Sequence, residues 1–145
     1  MAASKTATVM AALKTCLEGV TAANGYDVTV QEVRRGIHLD DDMPNRPALG
    51  FTNTRGERSE FAQGRSGRTL IVVIYGYVDV EPGDYEDLDS LMQAVEQRLM
   101  TPAAWSYYGF TDIKNYTVYE GGQHDKIGYF DMEVEIFYEH EWASP

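Results

Sequence analysis

Thr69-Leu-Ile-Val-Val-Ile-Tyr-Gly-Tyr-Val-Asp-Val80 decides the fold of this chain. The run is rich in β-branched and aromatic residues, which suit a pleated surface better than a helix. Ile71, Val73, Tyr75 and Tyr77 share one alternate face, and Leu70, Val72, Ile74 and Val78 share the other. Apolar side chains on both faces predict a central strand that needs cover on both sides. Glu81-Pro82-Gly83 turns the chain, and the spacing of Leu88, Leu91, Met92, Val95 and Leu99 predicts a helix from about Tyr85 to Met100. Asp84 is placed to cap that helix, Asp87 favours its first turn, and Thr101-Pro102 ends it.

The last third reads as a hairpin. Thr111–Glu120 and Ile127–Glu141 flank a turn that contains Gly121 and Gly122. In the final strand Phe130, Met132, Val134, Ile136 and Tyr138 point one way, and Tyr129, Asp131, Glu133, Glu135, Phe137 and Glu139 point the other. Before the central strand, Ser4 to Ala23 predicts a helix with Val9, Leu13, Cys16, Leu17 and Val20 on one face. Ser4 or Thr6 caps its start and Asn24-Gly25 stops it. Tyr26–Val33 then predicts a strand. Residues 34–68, punctuated by Gly36, Pro44, Pro47, Gly50, Gly56, Gly64 and Gly67, predict a long loop or protruding hairpin with a short strand at Ala48–Asn53.

Together these elements define an α+β class. The expected architecture is a single domain over residues 1–145, with an antiparallel or mixed sheet of four to five strands. Two helices pack on one face, and residues 34–68 form the long loop or hairpin arm. Two helices cover only one face, yet the central strand is apolar on both. Either the arm or a neighbouring subunit must cover the second face, which is the reason to expect a homo-oligomer.

Charge narrows the function further. The 145 residues carry 12 Lys and Arg against 23 Asp and Glu, a net charge of −11. That balance opposes binding nucleic acid through phosphate neutralisation. The charge is also unevenly spread: residues 34–68 hold all seven arginines of the arm against five acids, while residues 69–145 are strongly acidic. Leu70–Val78, the longest uncharged apolar stretch, falls short of the roughly 18–20 residues of a membrane helix. Met1-Ala2-Ala3-Ser4-Lys5 leads into an amphipathic pattern, not a signal segment. Cys16 is the sole cysteine, which excludes an internal disulfide framework.

No motif for an enzyme or a cofactor stands out. His38 beside Asp40-Asp41-Asp42 lacks the alternate spacing and glycine of a calcium loop, and His124 and His140 complete no metal pair. Gly64-Arg65-Ser66-Gly67-Arg68 lacks the lysine of a phosphate loop and enters a strand, where a nucleophile elbow would enter a helix. The row Asp131, Glu133, Glu135 and Glu139 offers paired carboxylates of the kind hydrolases use, but also reads as a solvated strand face. Cys16, on the apolar stripe, reads as a buried structural thiol. Trp105, Tyr107 and Tyr108 form an aromatic cluster suited either to core packing or to an interface. Arg34, Arg35, Arg46, Arg55, Arg58, Arg65 and Arg68 are the candidate basic contact set.

The order of elements resembles the tail terminator (tail completion) proteins of long-tailed bacteriophages. The resemblance rests on the N-terminal helix, VTVQEVRRG, RPALGFTNTRGE, RTLIVVIYGYVDV, the helix YEDLDSLMQAVEQRLM, DIKNYTVYEGG and GYFDMEVEIFYEHEW, in that order. It implies a structural virion protein at the head-proximal end of the tail, assembled in the host cytoplasm and needing no cofactor. The implied assembly is a homohexameric ring that caps the tail tube, stops its growth and provides the head-neck docking surface. Its implied partners are the major tail tube protein and the head-completion (stopper) protein, with genome DNA passing through the channel unbound. The acidic row Asp131, Glu133, Glu135 and Glu139 then either lines that channel or meets arginines of a neighbouring subunit. A second reading is another phage neck, minor tail or baseplate adaptor. A third is a small carboxylate-dependent hydrolase.

Overall fold

In the computed structural model, which describes residues 5–37, 43–62, 65–81, 83–101, 110–119 and 126–141, the Thr69–Val80 run lies within a longer strand. The described elements are α1 (Lys5–Glu18), β1 (Glu32–Arg35), β2 (Ala48–Ala62), β3 (Arg65–Asp79), α2 (Glu86–Leu99), β4 (Phe110–Tyr119) and β5 (Ile127–Glu141). The strands form one five-stranded mixed sheet in the order β1-β2-β3-β5-β4, which makes the fold α+β. β1 runs parallel to β2, and the other neighbours pair antiparallel. β3 is central and is paired along its whole length with β5; its two-faced apolar pattern goes with the helices over Leu70, Val72, Ile74 and Val78 and with Ile37 and Met43 packed with Tyr77 on the other face.

Both helices sit on the same face. Leu70, Val72, Ile74 and Val78 of β3 meet Leu49 and Phe51 of β2 and Phe130, Met132, Val134 and Ile136 of β5 there, all buried. Val9, Leu13 and Leu17 of α1 and Leu88, Leu91 and Val95 of α2 close the core over them. Gly76 opens room inside this layer, since a Cβ at that position would lie 2.0 Å from Phe130 Cε1. The far end of the core is marked by a hydrogen bond of 2.7 Å between Thr6 Oγ1 in α1 and the Tyr138 hydroxyl in β5. Beyond it, β3 runs on from Arg68 to Arg65, roughly 10 Å at strand rise.

Several boundaries differ from the sequence reading. α1 ends at Glu18, and Ala22–Asn24 forms a separate 3-10 turn closed by Gly25 at φ 92°. The competing bonds are local: Thr21 Oγ1 accepts from Asn24 N at 3.3 Å. Arg98 of α2 also enters at Gly19 and donates from Nε to Cys16 O at 2.8 Å, capping α1 from another element. Thr6 lies inside α1, and Ser4 falls outside the described residues. Tyr26–Gln31 is not strand; Val28 and Val30 pack on the core from an irregular segment. Pairing begins at Glu32 opposite Ala48, because Pro47 before it has no N–H to offer. α2 starts at Glu86, with Asp84 Oδ1 accepting from Glu86 N at 3.4 Å.

The 34–68 segment resolves into the hairpin alternative. The predicted short strand Ala48–Asn53 extends to Ala62 as β2, paired with β3 as far as Arg65. Thr54 is the extra residue of a bulge, with Asn53 opposite Val72 and Arg55 opposite Ile71. Its Oγ1 donates to Ile71 O at 2.9 Å, holding the bulge shut. Without that extra residue Arg55 would face the helix layer; with it, Arg55 faces the other side of the sheet.

Candidate functional site

The face of the sheet opposite the helices is a set of rows running across β2, β3, β5 and β4. Ala48, Tyr77, Tyr129 and Tyr119 form one row; Gly50, Tyr75, Asp131 and Thr117 form the next. Thr52, Val73, Glu133 and Asn115 follow, then Arg55, Ile71, Glu135 and Asp112. The last is Glu57, Thr69, Phe137 and Phe110.

Among the described residues the segment between β1 and β2 covers the first rows, while Ile71 in the fourth row is also buried. The parallel pairing of β1 and β2 requires a crossover, and of the segment between them Ile37 and Met43 lie over this face. Ile37 and Met43 bury themselves on Ala48 and Tyr77. Gly50 makes the passage possible: a Cβ there would stand 2.5 Å from Ile37 Cβ. Arg46 fastens the crossover, with Nε 2.7 Å from Asp79 Oδ1 and a second bond of 3.2 Å to Met43 O. Tyr77 and Tyr129 meet edge to face with ring centroids 5.3 Å apart. Farther along, Val73 and Phe137 stay half-buried among the acids, as do Tyr75 and Tyr129, which pack on the Ile37–Met43 cover.

Each described carboxylate of the β5 row has a donor from β4. Tyr119 OH donates to Asp131 Oδ2 at 3.2 Å, and Asn115 Nδ2 to Glu133 Oε2 at 3.0 Å. Lys114 is the extra residue of a second bulge, between Ile113 opposite Val134 and Asn115 opposite Glu133. Its Nζ lies 2.9 Å from Asp112 and 3.6 Å from Glu135. The hydrogen bond and charge of Asp112, then the charge of Glu135, hold the Lys114 ammonium above the usual lysine range. The charge of Asp131 likewise raises the Tyr119 hydroxyl. Asp131, Glu133 and Glu135 are thus each held in place by a β4 side chain.

The basic set divides. Arg34, Arg35, Arg55 and Arg58 are exposed along β1 and β2, and Arg34 also pairs with Glu32. Arg46 is spent on the crossover. Arg68 is half-buried on the helix side, in register with Arg58 and Tyr138. Arg65 holds the first position of β3 opposite Glu141, and Glu139 the position opposite Gly67. Trp105, Tyr107 and Tyr108 lie outside the described residues, as do His38 and the 40–42 triplet. Among the described residues no cluster of three or more His, Cys, Asp or Glu side chains is arranged to hold a metal. No helix there is long and apolar enough to cross a membrane.

Cys16 is fully buried, and burial pushes its thiol up to about 11 against the opposing pull of Arg98. It is an inert packing residue at neutral pH. Sequence reasoning missed Ile37 and Met43 as the cover of Tyr77, and Lys114, Asn115 and Tyr119 as partners of the acids. The β4 partners depend on a bulge, which shifts the alternation that a sequence reading follows. The chain matches no known protein family, and no characterised protein is a detectable sequence relative.

Proposed function

We propose that this protein is a structural subunit of a bacteriophage tail, a terminator whose copies close into a ring on the end of the tail tube. The observation that carries the reading is the half-finished open face. Two helices and a crossover cover one side and one end of the sheet, while Val73, Tyr75 and Phe137 remain part-exposed beside Asp131, Glu133 and Glu135. Mixed apolar and charged surface of this kind fits a protein interface. The order of elements supports the same reading through its resemblance to tail terminators.

In this role the chain works by shape and contact, with no cofactor. The ring stops tube growth by occupying its end, offers the opposite side to the head-completion protein, and leaves a central passage for the genome. Its partners are further copies of itself, the tail tube protein and the neck, and its place is the head-proximal end of the tail. Negative-stain microscopy with native mass spectrometry tests this. Sixfold rings are expected. Rings of another symmetry would move the assignment to a different neck or baseplate adaptor, and a monomer at micromolar concentration would overturn it.

A further inference from the structure

The exposed charge of the sheet is sorted by strand. At the β1–β2 margin Arg34, Arg35 and Arg55 are exposed, with Glu32 engaged by Arg34. On the other half of the open face, Asp131, Glu133, Glu135 and Asp112 occupy consecutive rows. Lys114 is the basic group set among them. One molecule therefore carries a basic margin and an acidic face toward opposite edges of the same sheet. A twofold contact of either surface with itself sets like charge on like. A head-to-tail contact sets unlike on unlike, and only that kind propagates round a ring.

Two further observations favour an arginine-bearing occupant for the acidic face. Val73 and Tyr75, beside the acids in the same rows, are half-buried and apolar. Arginine satisfies both parts of such a surface: its stem and guanidinium plane cover rings and aliphatic groups while the N–H fork meets carboxylates. A wall past which DNA slides has no use for that apolar component. The β1–β2 margin also ends in open backbone. β1 stops at Arg35 opposite Phe51, and among the described residues no strand pairs with the outer side of β2 beyond it.

We infer that the β1–β2 margin of one copy docks on the acidic β5–β4 half of the open face of the next, with Arg34 and Arg55, which share the open side, meeting Glu133 and Glu135. The inference rests on the ring reading and names the contact that builds it. Thr54 is what allows it, because its bulge turns Arg55 to the open side.

The test uses two charge-reversed full-length chains, R34E/R55E and E133K/E135K, with native mass spectrometry and light scattering beside the wild type. Each variant alone is expected to be monomeric where the wild type assembles. Mixed in equal amounts they are expected to assemble again, because each reversed surface meets its complement on the other variant. Alternation closes only with an even number of subunits, so odd-numbered rings from the mixture would overturn the contact. So would either variant assembling like the wild type, or folded variants that stay monomeric when mixed. If a reversed chain fails to fold, R34Q/R55Q and E133Q/E135Q replace the pair. Each is expected to weaken assembly by about tenfold or more, and unchanged assembly overturns the contact. A wild type that never assembles overturns the ring reading itself; a wild type that assembles regardless of these changes overturns the docking alone.

Discussion

Gly76 is the position where a single methyl group tests the packing most directly. It stands in β3 between Leu49 and Phe130 in register, on the helix side of the sheet. A Cβ there would sit 2.0 Å from Phe130 Cε1 and 2.4 Å from Cζ. Carbon atoms pack at about 3.5–4.0 Å, so the ring would have to retreat by roughly 1.5 Å. Phe130 is completely buried and part of the core that both helices close, which leaves it no free volume to enter. Overpacking of this kind costs about 1–3 kcal/mol. For a chain of this size each kcal/mol moves the melting temperature by roughly 2–4 °C, so G76A is expected to melt some 2–12 °C below wild type. Urea unfolding followed by circular dichroism should show the midpoint falling while the slope stays constant. The second arm is F130L, which removes the offending ring. G76A is expected to cost less in that background than alone, a coupling of about 0.5–3 kcal/mol. A G76A protein as stable as wild type, or strictly additive effects of the two changes, would refute the packing account.

Three other outcomes follow from the geometry. Cys16 is expected to resist alkylation by iodoacetamide at pH 8 until the protein unfolds. Because its folded pKa is raised to about 11, its contribution to stability is complete below the unfolded thiol value and is lost as pH rises through 11; rapid labelling of the native chain would contradict this. G19A is expected to evict Arg98 from Cys16 O, lowering stability by about 1–2 kcal/mol. In an R98A background the same change should cost much less, and equal costs in both backgrounds would refute the cross-helix cap. G50V is expected to lift Ile37 from the open face, exposing Tyr77 to faster amide exchange in the flanking backbone and costing about 1–3 kcal/mol. Unchanged exchange at Ile37 and Tyr77 would show that the crossover does not need that gap.

The elements that can be read from the sequence are those whose patterns are set by their own burial. β3 announces itself because both of its faces are covered for part of its length, and β5 because Phe130 to Tyr138 alternate strictly between core and acidic face. α2 carries its stripe from Leu88 to Leu99. β2 hides because its outer half is charged and glycine-bearing; what keeps it extended is pairing with β3, which no local pattern encodes. β1 begins only where β2 offers a partner, so the β-branched residues Val28 and Val30 mislead. The acids of β5 were legible as a row, but their partners were not. Lys114 reaches Glu135 through a bulge, and Ile37 reaches Tyr77 over a glycine many residues along the chain. Alternation gives faces; it does not give what lies across them.

The reach of β2, β3 and β5 past the Thr6–Tyr138 bond leaves a stretch of sheet that α1 and α2 do not back. Neither helix lends this blade a core. Its order must be borrowed from the three-strand ladder at its root or from a surface that comes to lie on it. Amide protection along Glu57–Ala62 and Arg65–Gly67 should therefore rise with protein concentration, while protection of Val72 and Val134 in the core should not. The tip of the sheet would serve as a reporter of assembly, readable without any label.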